Sequence, residues 1–270
     1  MTAKPYYAAG GLNVELNTLR TEVSAGRLVR GDADLLLDFA RDADGPILEL
    51  GCGDGRLLFP MARAGLDVTG IDISEGMLER ANHLKRQEPP DVAARTSIVR
   101  ADMTDFDLGG TFGFAFCVFR AFNFIPTQAG QRSCLEALRR HLNPGARFVL
   151  DVFDPPLPSI TPGAAGANVP RLAEVHWHPE TNHEVFVEIR DLELDVVGQV
   201  LRETWRFTER DADGITTRQE EELLTMRWLY RWETRYLLEL CGFEVEAEYS
   251  DYFGSAPAYG KEQVFVARAV

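Results

Sequence analysis

The sequence predicts an α/β fold, in which a doubly wound, mostly parallel β-sheet carries an antiparallel β insertion after its fifth strand. Two patterns lead to this prediction. Over residues 32–152, short and nearly continuous apolar runs alternate with helical patterns, which is typical of a parallel sheet covered on both faces. From about residue 171 to 225, polar and apolar residues alternate at period two, which is typical of half-exposed antiparallel strands.

The parallel sheet is predicted from five apolar runs. They span residues 47–50, 67–71, 96–100, 112–119 and 147–152. Helical patterns precede or separate these runs, and each has a recognisable start or stop. They begin at Asp32 or Asp34, at about 55, near Ser74 and at about 127, and the last two end before Pro89-Pro90 and at Asn143-Pro144-Gly145.

The second half of the chain changes character after the fifth run. Residues 155–170 hold five prolines and are predicted to form a loop. Four antiparallel strands are expected in the following segment, with a hairpin turn at Asp213-Gly214. A helix over Tyr230 to Leu240 and two final strands, 243–252 and 263–270, complete the chain. We therefore expect one domain from 1–154 and 226–270, interrupted by a β insertion at 155–225.

Composition narrows the possible partners. The chain has 270 residues, and its 42 acidic and 28 basic side chains give a net charge of −14, which is poorly suited to a phosphate backbone. No apolar run approaches the ~20 residues of a membrane helix, and the N-terminus lacks the apolar core of a signal peptide. The four cysteines show no metal-ligand spacing. We expect a cytoplasmic protein without metal, nucleic acid or membrane partners.

The most informative motif is a glycine-rich turn between the first strand and a helix. Residues 47–50 run directly into Gly51-Cys52-Gly53-Asp54-Gly55, the layout that binds an adenosine-containing cofactor at the end of a parallel strand. Arg56 stands where a dinucleotide fingerprint requires its third glycine, and a P-loop Gly-Lys-Ser/Thr is absent. Asp72, at the end of the second strand, can accept hydrogen bonds from two ribose hydroxyls.

Three motifs, each at a strand end, resemble those of the class I S-adenosylmethionine-dependent methyltransferases. They are Glu-Leu-Gly-Cys-Gly-Asp-Gly at 49–55, Gly-Ile-Asp-Ile-Ser-x-x-Met-Leu at 70–78 and Ala-Asp-Met at 101–103. The resemblance covers about 40–154 and 230–270. It implies S-adenosylmethionine as cofactor and a Rossmann-like seven-stranded sheet, closed by a hairpin with a single antiparallel edge strand. The layout of the insertion is similar to that of glycine and aminosugar N-methyltransferases, in which it covers the acceptor or forms a dimer.

The resemblance also implies a set of cofactor-binding residues at the ends of the first four strands. They are Glu49, Gly51, Cys52, Gly53, Gly55, Asp72, Ile73, Met77, Asp102, Met103 and Phe119. In this set Glu49 is expected to help hold the amino-acid part of the cofactor, and Asp72 to accept hydrogen bonds from the ribose. Asp102 and the Met103 N–H are expected to form hydrogen bonds with the adenine. Arg120 and Asn123 follow the fourth strand and are candidates for the acceptor site.

Tyr6 and Tyr7 resemble the N-terminal aromatics that fold over the cofactor in related enzymes, although a casually packed tail is the alternative. His176, His178 and His183 lack convincing metal spacing, so we interpret them as surface residues.

The function expected from these observations is methyl transfer to a small molecule, with no catalytic residue identified. An amine is favoured over a hydroxyl as acceptor, because a hydroxyl generally needs a base and no histidine accompanies the strand-end motifs. Two alternatives remain open: a cofactor-binding protein of the same fold that acts on a protein or is inactive, and a nucleotide-dependent oxidoreductase, which Arg56 disfavours.

Overall fold

The computed structural model describes residues 3–17, 19–20, 30–153, 155 and 171–270. Within these ranges the strands are β1 Lys4–Pro5, β2 Ile47–Leu50, β3 Val68–Asp72, β4 Thr96–Arg100, β5 Phe112–Cys117, β6 Leu142–Phe153, β7 Arg171–Trp177, β8 Glu184–Asp195, β9 Val200–Arg210, β10 Thr216–Arg227, β11 Phe243–Tyr249 and β12 Glu262–Ala269. The helices are α1 Leu12–Glu15, α2 Asp32–Arg41, α3 Leu58–Arg63, α4 Glu75–Lys85, α5 Pro90–Arg95, α6 Gln128–Arg140 and α7 Arg231–Leu240, with a 3₁₀ turn at Ala121–Phe124. None of these helices is long and apolar enough to cross a membrane. The predicted loop at 155–170 lies outside the described residues, apart from Pro155.

Seven strands form the main sheet, in the order β11-β12-β6-β5-β2-β3-β4. The five strands β6, β5, β2, β3 and β4 run parallel to one another, and β12 is antiparallel to both β6 and β11. The predicted fold class is therefore confirmed. The antiparallel strand, however, lies one position in from the edge, because β11 occupies the edge itself.

Burial of both sheet faces explains the continuous apolar runs. Every residue of β2 and β5 is buried. Successive side chains point to opposite faces, so Leu48 packs in the cluster that contains Leu135 of α6, whereas Ile47 packs in the cluster that contains Leu36 of α2. Helices therefore cover both faces of the sheet, because β2 and β5 carry apolar side chains on both sides.

Several boundaries differ from the sequence prediction for local reasons. The fourth parallel strand ends at Cys117 and not at Phe119, because Phe119 and Arg120 adopt left-handed φ angles of 56° and 63°. Pro90 begins a short helix that was not predicted, since proline fits the first helical turn. The helix after the glycine turn begins at Leu58, three residues later than expected, because the turn is longer.

A second, five-stranded sheet holds the insertion, in the order β1-β10-β9-β8-β7. Its four long strands are antiparallel, as predicted. The fifth strand is unexpected: β1 pairs in parallel with β10, with Lys4 beside Glu222. Leu12 and Leu16 pack against Val185 and Phe207 on the face of this sheet. The N-terminal segment and the insertion thus share one core.

A buried arginine joins the insertion to the main sheet. Arg227, at the end of β10, is 1% exposed. Its guanidinium donates to Gln131 of α6 at 2.7 Å and forms an ion pair with Glu233 of α7. Its carbonyl accepts from the Asn123 amide at 2.8 Å. Because a buried charge is stable only when it is paired, Glu233 is the key partner.

We predict that Glu233→Gln lowers the free energy of unfolding by about 3 kcal/mol, because it leaves the buried Arg227 without a counter-charge. The glutamine side chain still offers an oxygen that can accept a hydrogen bond at the start of α7. The measured loss of stability therefore reports the effect of the missing charge. Urea unfolding followed by circular dichroism measures it. The matched control is Glu239→Gln on the same helix, whose i,i+4 pair with Arg235 is solvent-exposed and is expected to cost less than ~0.5 kcal/mol. Equal effects of the two substitutions would contradict the assignment.

Candidate functional site

A cavity opens at the carboxyl ends of β2, β3 and β5, beneath the N-terminal segment. Nine of the eleven residues predicted to bind the cofactor line it, together with nine others. The nine predicted residues are Glu49, Gly51, Cys52, Gly53, Asp72, Ile73, Met77, Met103 and Phe119. A parallel sheet offers its ligand crevice at this edge, which explains why residues from separate strand ends meet.

Glycine is required in the turn for two distinct reasons. Gly51 and Gly53 have φ angles of 74° and 54°, in the left-handed region that disfavours other residues. A Cβ on Gly51 would also lie 2.6 Å from the Ala121 Cβ. The turn therefore keeps its backbone free for close approach by a ligand. Gly55 has a different role: it does not line the cavity, and its missing Cβ makes room for the Phe59 ring, 2.6 Å away.

Asp72 holds the turn and the following helix together. Its Oδ2 accepts from the Gly53 N–H and its Oδ1 from the Ser74 N–H, both at 2.8 Å. Burial raises the pKa of this carboxyl, and the backbone hydrogen bonds act in the opposite direction. Each oxygen retains a lone pair, so the side chain can still accept from two neighbouring hydroxyls.

Glu49 and Arg56 are the charged groups on the floor of the cavity next to Asp72. Glu49 is 5% exposed, and its Oε2 has no hydrogen-bond partner among the described residues. Burial raises its pKa well above the ordinary value, against the attraction of Arg56. Arg56 pairs with Asp32, and its guanidinium lies over the Phe119 ring, 5.4 Å from the centroid. An orphaned buried oxygen is what a cofactor amine would satisfy.

Aromatic side chains cover the cavity from the N-terminal segment. The Tyr6 and Tyr7 rings lie 6.1 and 6.3 Å from Phe124. The Tyr7 N–H donates to Glu222 of β10 at 2.9 Å, and its carbonyl accepts from the Ser74 hydroxyl at 2.9 Å. Burial raises the pKa of the Tyr7 hydroxyl. The tyrosines are thus held over the cavity by specific contacts. The alternative, an N-terminal tail without specific contacts, does not agree with the structure.

Three other predicted site residues do not line the cavity. Asp102 is exposed, and its Oδ1 accepts from the N–H and hydroxyl of Thr104 at 2.8 Å. Arg120 pairs with Glu262 and lies over the Phe153 ring. Asn123 is fully buried and donates to Arg227. The roles given to these residues stay predictions, and the structure places the acceptor candidates in structural contacts.

The insertion histidines are each paired with a carboxylate. His176 lies 2.6 Å from Glu174, and His178 lies 2.9 Å from Glu15. His183 lies 3.1 Å from Glu209. No group of three metal-ligating side chains occurs in the described part of the chain.

Sequence reasoning missed several lining residues. Asp54 and Ser74 stand inside the recognised motifs, Arg56 directly follows the first motif, and all three could have been proposed from their positions. Val118, Ala121 and Phe124 enter only because the chain turns sharply after β5. Asn17 follows Tyr6 and Tyr7 in the N-terminal segment, and its own surroundings in the sequence carry no site signal.

Comparisons with known proteins agree with this geometry. A family model described as a methyltransferase domain matches residues 47–145, which include the glycine turn and Asp72. The Bacillus subtilis protein YqeM, named as a methyltransferase, is 23% identical over 222 residues, or 82% of each chain. A Streptomyces venezuelae dTDP-3-amino-3,4,6-trideoxy-α-D-glucopyranose N,N-dimethyltransferase is 25% identical over 188 residues, which span 70% of this chain and 64% of the relative.

A solved structure extends the match to nearly the whole chain. CalS10, an amino pentose methyltransferase from Micromonospora echinaspora with S-adenosylmethionine bound, aligns with a TM-score of 0.65 and 25% identity over 94% of this chain and 97% of CalS10. The strand order, the glycine turn with its acidic partner and these similarities converge: the chain carries a methyltransferase domain on a Rossmann-like methyltransferase fold and uses S-adenosylmethionine as its cofactor.

Proposed function

We propose that this enzyme methylates an amine of a small molecule, and that the acceptor is an aminosugar. The observation that carries the choice of an amine is the lining of the cavity. Among the described residues it contains no histidine and no lysine, and Arg56 is its one basic side chain. Tyr6 and Tyr7 have pKa values raised by burial, so both hydroxyls keep their protons near neutral pH. The three carboxylates of the lining, Glu49, Asp54 and Asp72, stand in the glycine turn and at the strand ends that we assign to the cofactor. A hydroxyl acceptor would therefore lack a base of its own, whereas a neutral amine needs none.

Support for the sugar comes from relatives. One of the proteins described above is named as an N,N-dimethyltransferase of a dTDP-linked aminosugar, and CalS10 is named as an amino pentose methyltransferase. An uncharged sugar ring also suits a cavity lined by Tyr6, Tyr7 and Phe124, which offer flat apolar faces, and the two tyrosines add hydroxyl groups.

The residues of the cavity divide naturally among the parts of the cofactor. Asp72 would accept from the ribose hydroxyls, Ile73 and Met77 would flank the adenine, and Glu49 would meet the ammonium group. S-adenosylmethionine supplies an already activated methyl group, so the work left to the protein is to hold and align the two reactants. Correct alignment alone can contribute ~7–11 kcal/mol in favourable cases.

The insertion is proposed to complete the acceptor site and not to act as a separate module. Its strand β10 holds Tyr7 through Glu222, and Trp205 of β9 packs 6.1 Å from the Tyr6 ring. These contacts connect the insertion directly to the cover of the cavity. Its other expected role, the pairing of two subunits, stays a prediction.

Asp72→Asn is expected to weaken the binding of S-adenosylhomocysteine by at least tenfold, because a hydrogen bond to a charged group contributes about 1.5–3 kcal/mol. Titration calorimetry measures the affinity. Asp67→Asn is the matched control, since Asp67 precedes the same strand, is exposed and pairs only with Arg95 at the surface in the described structure. An unchanged affinity in Asp72→Asn would remove this residue from the site.

Transfer of a labelled methyl group separates amine from hydroxyl acceptors. We expect a dTDP-aminosugar to be methylated at least ~100-fold faster than the same sugar with a hydroxyl in place of the amine, because the missing base is worth 10²–10⁴ in rate. The rate should rise with pH until the amine has lost its proton, since only the neutral form has a free lone pair. Faster transfer to the hydroxyl analogue would overturn the proposal while leaving the cofactor site intact.

A further inference from the structure

Asp151 makes a compact set of hydrogen bonds at the end of β6, next to the cavity but not in its lining. The side chain is 0% exposed. Its Oδ2 accepts from the Phe119 N–H at 2.8 Å and its Oδ1 from the Arg120 N–H at 2.7 Å. The buried Tyr252 hydroxyl donates to Oδ2 as a third hydrogen bond. One carboxylate thus holds two successive backbone N–H groups.

Those two residues have an unfavourable backbone conformation. Phe119 and Arg120 follow one another with φ angles of 56° and 63°, and neither is a glycine. A non-glycine residue in the left-handed region costs of order 1–3 kcal/mol and persists only where its surroundings enforce it. Successive N–H groups of a turn form a concavity that binds anions, and here the Asp151 carboxylate fills it.

The turn decides which side chain faces the cofactor. Phe119 lines the cavity, with the Arg56 guanidinium over its ring. Arg120, one residue later, points to the other side, where it pairs with Glu262 and lies over Phe153. A relaxation of either φ angle to negative values would redirect both side chains, so the shape of the cavity depends on the left-handed pair.

We propose that Asp151 is a positioning residue for methyl transfer: it enforces the left-handed Phe119–Arg120 turn and thereby holds Phe119 against the cofactor. The proposal rests on the cofactor site described above and is independent of which acceptor is methylated. Asp151 does not line the cavity, so its effect reaches the cofactor only through the turn.

Protonation of Asp151 should loosen the turn, because a carboxylic acid donates from one oxygen and no longer accepts from both N–H groups. Burial, followed by the neighbouring Glu262 carboxylate, raises the pKa of Asp151 to about 6, and the hydrogen bonds from Tyr252 and the turn oppose that rise. The charged and titratable groups around this network are Tyr252, Glu262, Arg120, Asp32 and Cys117. Cofactor affinity should therefore fall as pH drops through about 6.

Calorimetry with S-adenosylhomocysteine between about pH 5 and pH 8 tests the proposal, because linked protonation appears as a pH-dependent affinity. Asp151→Asn replaces one acceptor oxygen by an amide that cannot accept, and we expect about tenfold weaker binding near pH 8. Tyr252→Phe removes a donor to the carboxylate, so the midpoint of the wild-type pH dependence should move upward. A purely structural role of Asp151 would not move that midpoint.

The control is Asp211→Asn, in the hairpin between β9 and β10. Asp211 also accepts two backbone N–H groups, from Asp213 and Ile215, but it lies in the turn of the insertion and does not line the cavity. The Asp211→Asn variant should bind S-adenosylhomocysteine with the affinity of the wild type. Asp72 and Glu49 also have raised pKa values, but they titrate in every variant, so the shift in Tyr252→Phe identifies Asp151.

Each outcome is decisive. Wild-type affinity in a folded Asp151→Asn variant, or an unmoved midpoint in Tyr252→Phe, would overturn this proposal alone. If Asp151→Asn fails to fold, as judged by circular dichroism, the Tyr252→Phe midpoint decides. Absence of binding by the wild type at every pH would overturn the cofactor site as well.

Discussion

The pair of hydrogen bonds accepted by Asp72 is the constraint on which the rest of the site depends. One oxygen fixes the glycine turn through Gly53 and the other fixes the start of α4 through Ser74. Ser74 in turn accepts from Met77 and donates to the Tyr7 carbonyl. A single half-buried carboxylate therefore aligns the floor, one wall and the cover of the cavity before any ligand arrives. Preorganisation of this kind lowers the entropy cost of binding.

The cover depends on an element that is far away in the chain. Tyr7 is held at its N–H by Glu222 of β10 and at its carbonyl by Ser74 of the main domain. Alternate residues of β10 continue the contact, since Glu220 accepts from the Leu12 N–H and Arg218 pairs with Glu15. The insertion and the N-terminal segment are thus joined into one body that covers the cavity.

The sequence was sufficient for the features that local physics determines. Gly51, Gly53 and Asp72 were predicted because strand, turn and acid follow one another at close spacing, and all three lie in the cavity. The direction of Arg120 and Asn123 was not predictable, because it depends on the two left-handed residues and on Asp151, which lies 31 residues after Arg120. Strand β1 was missed for a similar reason: two residues carry no periodicity, and only β10 makes them a strand.

The separation between Tyr7 and Glu222 has a consequence for synthesis of the chain. The two residues lie 215 positions apart, yet the hydrogen bond between them completes the roof of the cavity. Domains fold as units, and the main sheet is complete only with β11 and β12, which follow β10 in the chain, so the floor and the roof of the cavity are both completed late in synthesis. Full retention of the cofactor is thereby one of the last properties that the growing polypeptide acquires.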